Sequence, residues 1–313
     1  MKIIIELPTW LGDTVMATPA IENLLNFYDR PEVFFIGSKV SISLMKDHPF
    51  CKGNYVLKRK LIDIFALRKQ IKKTNLIVSF RNSIRSSLFK VFNTNINFYK
   101  YNKNKTKSSH QVEKYNEFIN YLLKINSRPK LLKIHKKIDL NLPKLSIGIN
   151  PGASYGSSKC WHVDGFTQVA SSLAKDFDIY IFGGALEVEL AQFLEKAIRK
   201  KGVKNVFNLA GKTSIDSLCA YISKMQLFIT GDSGPMHIAA AYKIPTISLF
   251  GSTKYLETSQ WKNKESVIIK RDLECQPCMK RICPLGHHNC MKLITAESVI
   301  IEAKRLFSKV KIN

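Results

Sequence analysis

Hydrophobic positions along the chain alternate between two registers. Short unbroken apolar runs are followed by stretches in which apolar residues return every third or fourth position. The first run, Lys2–Glu6, gives way to a glycine turn and then to Val15, Met16, Pro19, Ala20, Leu24 and Leu25, spaced as one face of a helix. The strand pattern PEVFFIG closes that unit. Strand patterns recur at Tyr55–Leu57, Leu76–Ser79 and Ile96–Tyr99, interleaved with helical patterns near Ile62–Lys73, Ser83–Phe92 and Val112–Ile125. Strands separated by helices predict a mostly parallel sheet covered by helices.

Periodicity lapses over Ser127–Lys144, a basic stretch with Pro129 and Pro143, and a second series starts at Leu145. It runs through SIGIN, the loop PGASYGSSKCW, a helix from Asp164, the strand DIYIFGG, a helix over Leu186–Lys201, VFNLAGKT and finally QLFITGDSGPMHIAAAYKIPTISLFGST. Two such series predict an α/β protein of two doubly wound domains, residues 1–144 and 145–313, facing across a cleft. The last helix, Thr295–Val310, has two possible placements: on its own domain, or crossing back to the first.

Two turns carry candidate chemistry. After the apolar run Leu227–Thr230, Gly231 ends a strand, Asp232, Ser233 and Gly234 turn the chain, and Pro235 and His237 fall in the first turn of a helix. Proline suits that position because its missing N–H would have no partner there. The open N–H groups of such a turn, at the C-terminal edge of a parallel sheet, suit an anion. The loop Asn150–Trp161 adds flexible glycines and serines and the Lys159 ammonium, the chemistry of a phosphate cradle without the GxxxxGK[ST] pattern. Asp13 follows Gly12 at the start of the first helix, either as a helix cap or as a general base. Arg81 and Arg85 follow a strand end, either reaching an acidic ligand or lying on a solvated face.

Charge narrows the partners. The formal net charge is +25, and residues 1–145 hold 27 basic against 10 acidic side chains, while the remainder holds 22 against 14. So basic a first half favours a polyanion, whether nucleic acid, anionic lipid or phosphorylated glycan; the alternative is a merely solvated lysine surface. The segment Tyr99–His110, YKYNKNKTKSSH, is basic and aperiodic and is expected as a mobile loop. No apolar run approaches the roughly 18 residues of a spanning helix, and the chain opens directly on a strand, so a cytoplasmic location is expected. Cysteines there are expected as thiols. Cys275, Cys278, Cys283 and Cys290 nevertheless form C-x2-C-x4-C-x6-C around His287 and His288. The CxxC opening is compatible with zinc or an iron–sulfur site, but the spacing is shorter than the usual two-knuckle pattern. Reduced thiols in an irregular loop, with no metal, are the expectation.

Taken together, LPTWLGDTVMATPAI, NPGASYGSSKCW, FGGALEVE, NLAGKT, ITGDSGPMHIAAA and LFGST resemble, over nearly the whole chain, the ADP-heptose:lipopolysaccharide heptosyltransferases of glycosyltransferase family 9. Within that family the likeness is to the branch that adds the second inner-core heptose. The resemblance implies a GT-B fold of two Rossmann-like domains, the first binding a lipid-linked acceptor and the second binding ADP-heptose. It implies Asp13 as catalytic base and Lys159 near the nucleotide diphosphate. It also implies phosphates held by Ser233, Gly234 and His237 with Asp232 beside them, and Glu187 toward the ribose or adenine, with Glu189 a competitor for that place. The implied reaction moves L-glycero-D-manno-heptose from ADP-L-glycero-D-manno-heptose to a heptosylated Kdo-lipid A acceptor, without cofactor or metal. It would run at the anionic inner leaflet of the inner membrane, with the protein peripherally associated. The chemistry agrees, because a glycosyl diphosphate needs its leaving charge stabilised and one acceptor hydroxyl deprotonated. One base and no opposing carboxylate nucleophile favour a single inverting displacement.

Other readings are a family member with another acceptor, a nicotinamide oxidoreductase and a basic nucleic-acid-binding protein. Against the oxidoreductase, LPTWLGD stands where GxGxxG would follow the first strand. Against the last, YKYNKNK alone interleaves aromatics with basic residues and no recognised module surrounds it, so no nucleic-acid partner is expected.

Overall fold

The computed structural model describes residues 1–29, 31–57, 67, 73–89 and 96–310, in two compact units, Met1–Lys137 and Ile138–Asn313. The division falls inside the aperiodic stretch Ser127–Lys144. No helix among the described residues is long and apolar enough to cross a membrane.

In the first unit, β1 (Lys2–Glu6), β2 (Glu32–Gly37), β3 (Cys51–Val56), β4 (Leu76–Ser79) and β5 (Asn97–Lys100) form a parallel sheet of order β3-β2-β1-β4-β5. Helices α1 (Leu11–Phe27), α2 (Lys39–Met45) and α3 (Gln111–Leu123) accompany it. Ile3, Ile4 and Ile5 are all buried, since a central parallel strand is covered on both faces and reads as an unbroken apolar run. The edge strand β3 alternates half-buried and exposed positions instead. The helix expected over Ile62–Lys73 lies almost wholly outside the described residues. Of the pattern Ser83–Phe92, Ile84–Ser87 is helical and the end lies outside them.

The segment Tyr99–His110, expected as mobile, is tethered. Tyr101 packs edge-on against Tyr115 and Phe118, and the Glu117 carboxylate accepts the N–H groups of Lys107 and Ser108.

The chain beyond α3 lies along α1. Asn23 Nδ2 donates to Asn116 and Ser127, and the Lys133 N–H donates to Thr18 Oγ1. Glu22 Oε1 accepts from His48 Nε2 at 3.1 Å and His135 Nε2 at 2.6 Å. The ligand atoms of these three residues lie within 4.8 Å of one another, a spacing a metal could use. However, His48 Nδ1 accepts the Phe50 N–H, so the proton sits on Nε2 and points at Glu22, leaving no lone pair there for a metal. Burial alone would raise the Glu22 carboxyl, but hydrogen bonds from His135 and His48 outweigh it and hold the group well below the usual carboxylate range. The fold therefore favours ionised Glu22, a contribution present above the ordinary value of 4.5 and lost as pH falls below it. Glu22→Gln should destabilise the protein by roughly 2 kcal/mol near neutrality. In denaturant titrations that gap should shrink in acid; a gap constant from pH 7 to pH 3 would refute the account.

In the second unit, β6 (Ser146–Asn150), β7 (Asp178–Ile181), β8 (Val206–Asn208), β9 (Leu227–Gly231), β10 (Thr246–Phe250) and β11 (Ser266–Lys270) form a parallel sheet of order β11-β10-β9-β6-β7-β8. Its helices include α4 (Val163–Leu173), α5 (Val188–Lys200), α6 (Ile215–Ile222), α7 (Gly234–Ala241) and α8 (Ala296–Val310). Ile147, Ile149, Leu227, Ile229, Ile247 and Leu249 fill the core beneath α4 and α8. Helix α8 packs on α4 and β10 of its own unit, with Val299, Ala303 and Leu306 buried and Phe307 stacked on Phe177 at 4.5 Å.

In each sheet the strand order reverses at one point, between β1 and β4 and between β6 and β9. Loops leaving the C-terminal ends of those strand pairs part there and leave a crevice, the usual ligand position of an open parallel sheet.

Candidate active site

β6 and β9 are neighbours, with Asn150 beside Thr230, so the two turns singled out in the sequence leave the sheet side by side. Gly231 is required by their closeness, because a Cβ there would stand 2.7 Å from the Lys159 carbonyl oxygen. Lys159 Nζ donates to Asp232 Oδ2 at 2.6 Å and to the Asp232 carbonyl at 3.3 Å, and lies 4.6 Å over the Tyr155 ring. Thr253 Oγ1, from the turn after β10, donates to the same Asp232 oxygen at 2.8 Å.

Ser233 holds the N-cap position of α7, yet its side chain does not cap the helix. Its hydroxyl pairs with Thr230 Oγ1 at 2.9 Å and lies 3.4 Å from Asn150 Nδ2. Gly234 and Pro235 open the helix, and His237 is buried in its first turn. The start of α7 thus turns backbone N–H groups that Ser233 leaves uncapped toward the same sheet edge as the Lys159 ammonium.

Glu187 lies on the adjoining loop after β7. Its Oε2 accepts the Gly184 N–H at 2.5 Å and its Oε1 accepts Ser154 Oγ at 3.2 Å, which ties it to the Lys159 loop. Glu187 is buried, whereas Glu189 is exposed in the first turn of α5, so Glu187 is the acid that meets that loop. Thr253 and Tyr155 had no role in the sequence reading. The motif LFGST was visible, but only the sheet order sets the end of β10 beside Asp232.

In the first unit the reversal lies between Glu6 and Ser79. Glu6 is fully buried, its Oε2 accepts Ser79 Oγ at 2.6 Å, and Arg81 Nη1 lies 3.7 Å from Oε1. Arg81 thus meets an internal carboxylate at the strand ends; the Arg85 side chain lies outside the described residues. Asp13 is half-buried in the first turn of α1, whose N-cap is Trp10. The preceding turn is laced by hydroxyls: Thr14 Oγ1 donates to the Trp10 carbonyl, Ser41 to Pro8 and Ser38 to Thr9. Burial and then the neighbouring Asp13 carboxylate push the Tyr115 hydroxyl well up, which sets Asp13 close to the aromatic cluster of α3.

Two doubly wound parallel sheets, with polar side chains gathered where each strand order reverses, match the GT-B fold that the resemblance implies. Comparison with known proteins narrows the class. Residues 64–289 match the profile of glycosyltransferase family 9 (heptosyltransferase), and the chain belongs to that family. It is 41% identical over 316 residues to the lipooligosaccharide heptosyltransferase 2 of Campylobacter jejuni, covering 98% of each chain. The solved structure of the Escherichia coli ADP-heptose lipopolysaccharide heptosyltransferase II matches with a TM-score of 0.83 at 19% identity, over 99% of this chain and 100% of that one. The E. coli heptosyltransferase WaaC with ADP matches at 0.78 and 14% identity, over 98% and 100%.

Proposed function

We propose that the protein is an inverting heptosyltransferase moving L-glycero-D-manno-heptose from ADP-heptose onto the first heptose of a lipooligosaccharide inner core. The observation that carries this is the Lys159–Asp232 pair beside the uncapped start of α7. A lysine ammonium has three N–H donors. Two are directed at Asp232, and the third serves the diphosphate. Asp232, a carboxylate, repels that ligand; with Thr253 it positions Lys159. The backbone N–H groups of the turn Ser233–His237 receive phosphate oxygens, and Glu187 meets the ribose side from the adjoining loop. Together they stabilise the charge that develops on ADP as the glycosidic bond breaks. Asp13 removes the proton from the attacking acceptor hydroxyl. A direct displacement by that hydroxyl inverts the anomeric carbon.

The basic first unit serves an acceptor that bears phosphates and acidic sugars in an anionic leaflet, and holds the protein at that surface without insertion. One experiment tests both parts. With ADP-heptose and anionic vesicles carrying a core acceptor with one heptose, mass spectrometry should find the acceptor heavier by one heptose, and an acceptor without heptose unchanged. The rate should fall as salt is raised. No mass gain would end the transferase reading, and a rate indifferent to salt would end the electrostatic one.

A further inference from the structure

The chain has three tryptophans, and they differ in what holds them. Trp161 is 3% exposed, its indole N–H donates to the Ile294 carbonyl at 3.1 Å, and its ring packs edge-on against Phe166. Trp261 is half-buried, with the Lys262 ammonium 5.3 Å over its ring. Trp10 is 54% exposed, and its indole has neither a hydrogen bond nor a ring partner among the described residues. The local backbone does not ask for an indole either. Trp10 is the N-cap of α1, a position best filled by Ser, Thr, Asp or Asn, whose side chains accept a first-turn N–H. An indole N–H can only donate, and Trp10 makes no capping bond. A large apolar ring left in water where a small polar residue serves the helix better contributes on binding rather than on folding. We propose that the Trp10 ring is the platform on which the terminal pyranose of the acceptor lies, and that it sets a hydroxyl of that sugar against Asp13.

Position is the first reason for a sugar. Trp10 is the N-cap and Asp13 the third residue of the same helical turn, the two places whose side chains reach one another in a capping box. A six-membered ring stacked on the indole therefore carries a substituent hydroxyl to the carboxylate. Asp13 is half-buried, with the buried Tyr115 close by on the α3 side, so a substrate meets it from the solvent side, where Trp10 is exposed. The surroundings agree. Thr9 is exposed next to the ring and Asp13 lies one turn on, so a flat apolar face has a polar rim. A pyranose matches both, with C–H groups of one face on the indole and its hydroxyls at the rim. An acyl chain would leave that rim unpaired.

The platform is also stiff. The Pro8 carbonyl accepts Ser41 Oγ at 2.5 Å, the Thr9 carbonyl accepts Ser38 Oγ at 2.9 Å, and the Trp10 carbonyl accepts Thr14 Oγ1 at 2.9 Å and the Thr14 N–H at 3.0 Å. Three successive carbonyls are thus tied to residues of α1 and of the start of α2. With the backbone fixed, only the side-chain torsions of Trp10 remain to be ordered when a sugar binds, which keeps the entropic cost of binding low.

The proposal rests on the reading of Asp13 as the base, and the test separates the two. The acceptor is supplied in two forms: a deacylated, water-soluble core oligosaccharide ending in one heptose, and the same core on its lipid in vesicles. Trp10→Ala should raise the KM for both at least about tenfold, as the loss of an aromatic anchor does, and leave the Kd for ADP unchanged. Trp10→Phe should regain most of the loss and Trp10→Leu little of it, because leucine is apolar without a flat face. Trp10→Ser supplies the missing cap, so its Tm should equal or exceed the parent's while its acceptor KM stays high. An unchanged KM for the soluble acceptor in Trp10→Ala would overturn the platform, as would full recovery by leucine. A loss confined to the vesicle-borne acceptor would put the ring against lipid and overturn it as well. Binding can also be followed without turnover: the soluble oligosaccharide should change the tryptophan emission of the parent and not that of Trp10→Phe, and an equal change in both would count against the proposal. Normal turnover in Asp13→Asn with that emission change intact would strike the base and leave the platform standing.

Discussion

Asp13→Asn should lower kcat by roughly 10²- to 10⁴-fold, the range lost when a positioned general base is removed. Asparagine has the same shape but cannot take a proton. The Kd for ADP should stay within about twofold, since the nucleotide is assigned to side chains of the other compact unit. The turn around Asp13 is braced by the hydroxyls of Thr14, Ser38 and Ser41, which the substitution leaves in place, so the geometry should survive. Neutralising a negative charge in the first turn of α1 costs about 0.3–1 kcal/mol of stability. Tm and ADP affinity near those of the parent, with turnover lost, would isolate the chemical step. Turnover within tenfold of the parent would mean that another group takes the proton.

How much of this could be read from the sequence depends on the range of the contact involved. Central strands announce themselves because burial on both faces leaves little but Ile, Leu, Val and Phe, as in β1, β4 and β9. Helix α2 escapes notice: at seven residues it is too short to show a period, and the Ser38 side chain that starts it accepts from Ser41 N as serines do in many turns. β11 escapes as well, because an edge strand has no unbroken buried run. The two turns rich in glycine and serine are legible from local chemistry, but their pairing is not. Lys159 and Asp232 are 73 positions apart and meet only because β6 and β9 are neighbours in the sheet. Nothing in the sequence singles out Glu6, yet β1 is central and its carboxylate is wholly buried against Ser79 and Arg81.

Lys159→Ala should weaken ADP binding about 10- to 100-fold, the loss of one charge-assisted hydrogen bond to a phosphate. It should also lower kcat, because the bond strengthens as charge gathers on the departing diphosphate. The variant has a second defect. Asp232 is buried and, among the described residues, keeps the Thr253 hydroxyl as its side-chain partner, and stranding such a carboxylate costs on the order of 3 kcal/mol. Stability and affinity can be separated by neutralising the partner. Lys159→Met combined with Asp232→Asn removes the stranded charge and should recover most of the lost Tm, while ADP binding stays weak. Lys159→Arg is not a conservative change here, since a guanidinium fits a carboxylate with two parallel bonds and would turn its donors to Asp232. It should therefore fold well and bind ADP poorly. If calorimetry finds Lys159→Ala binding ADP as tightly as the parent, the ammonium is a structural partner of Asp232 alone. The diphosphate would then have to be held by the α7 turn without it.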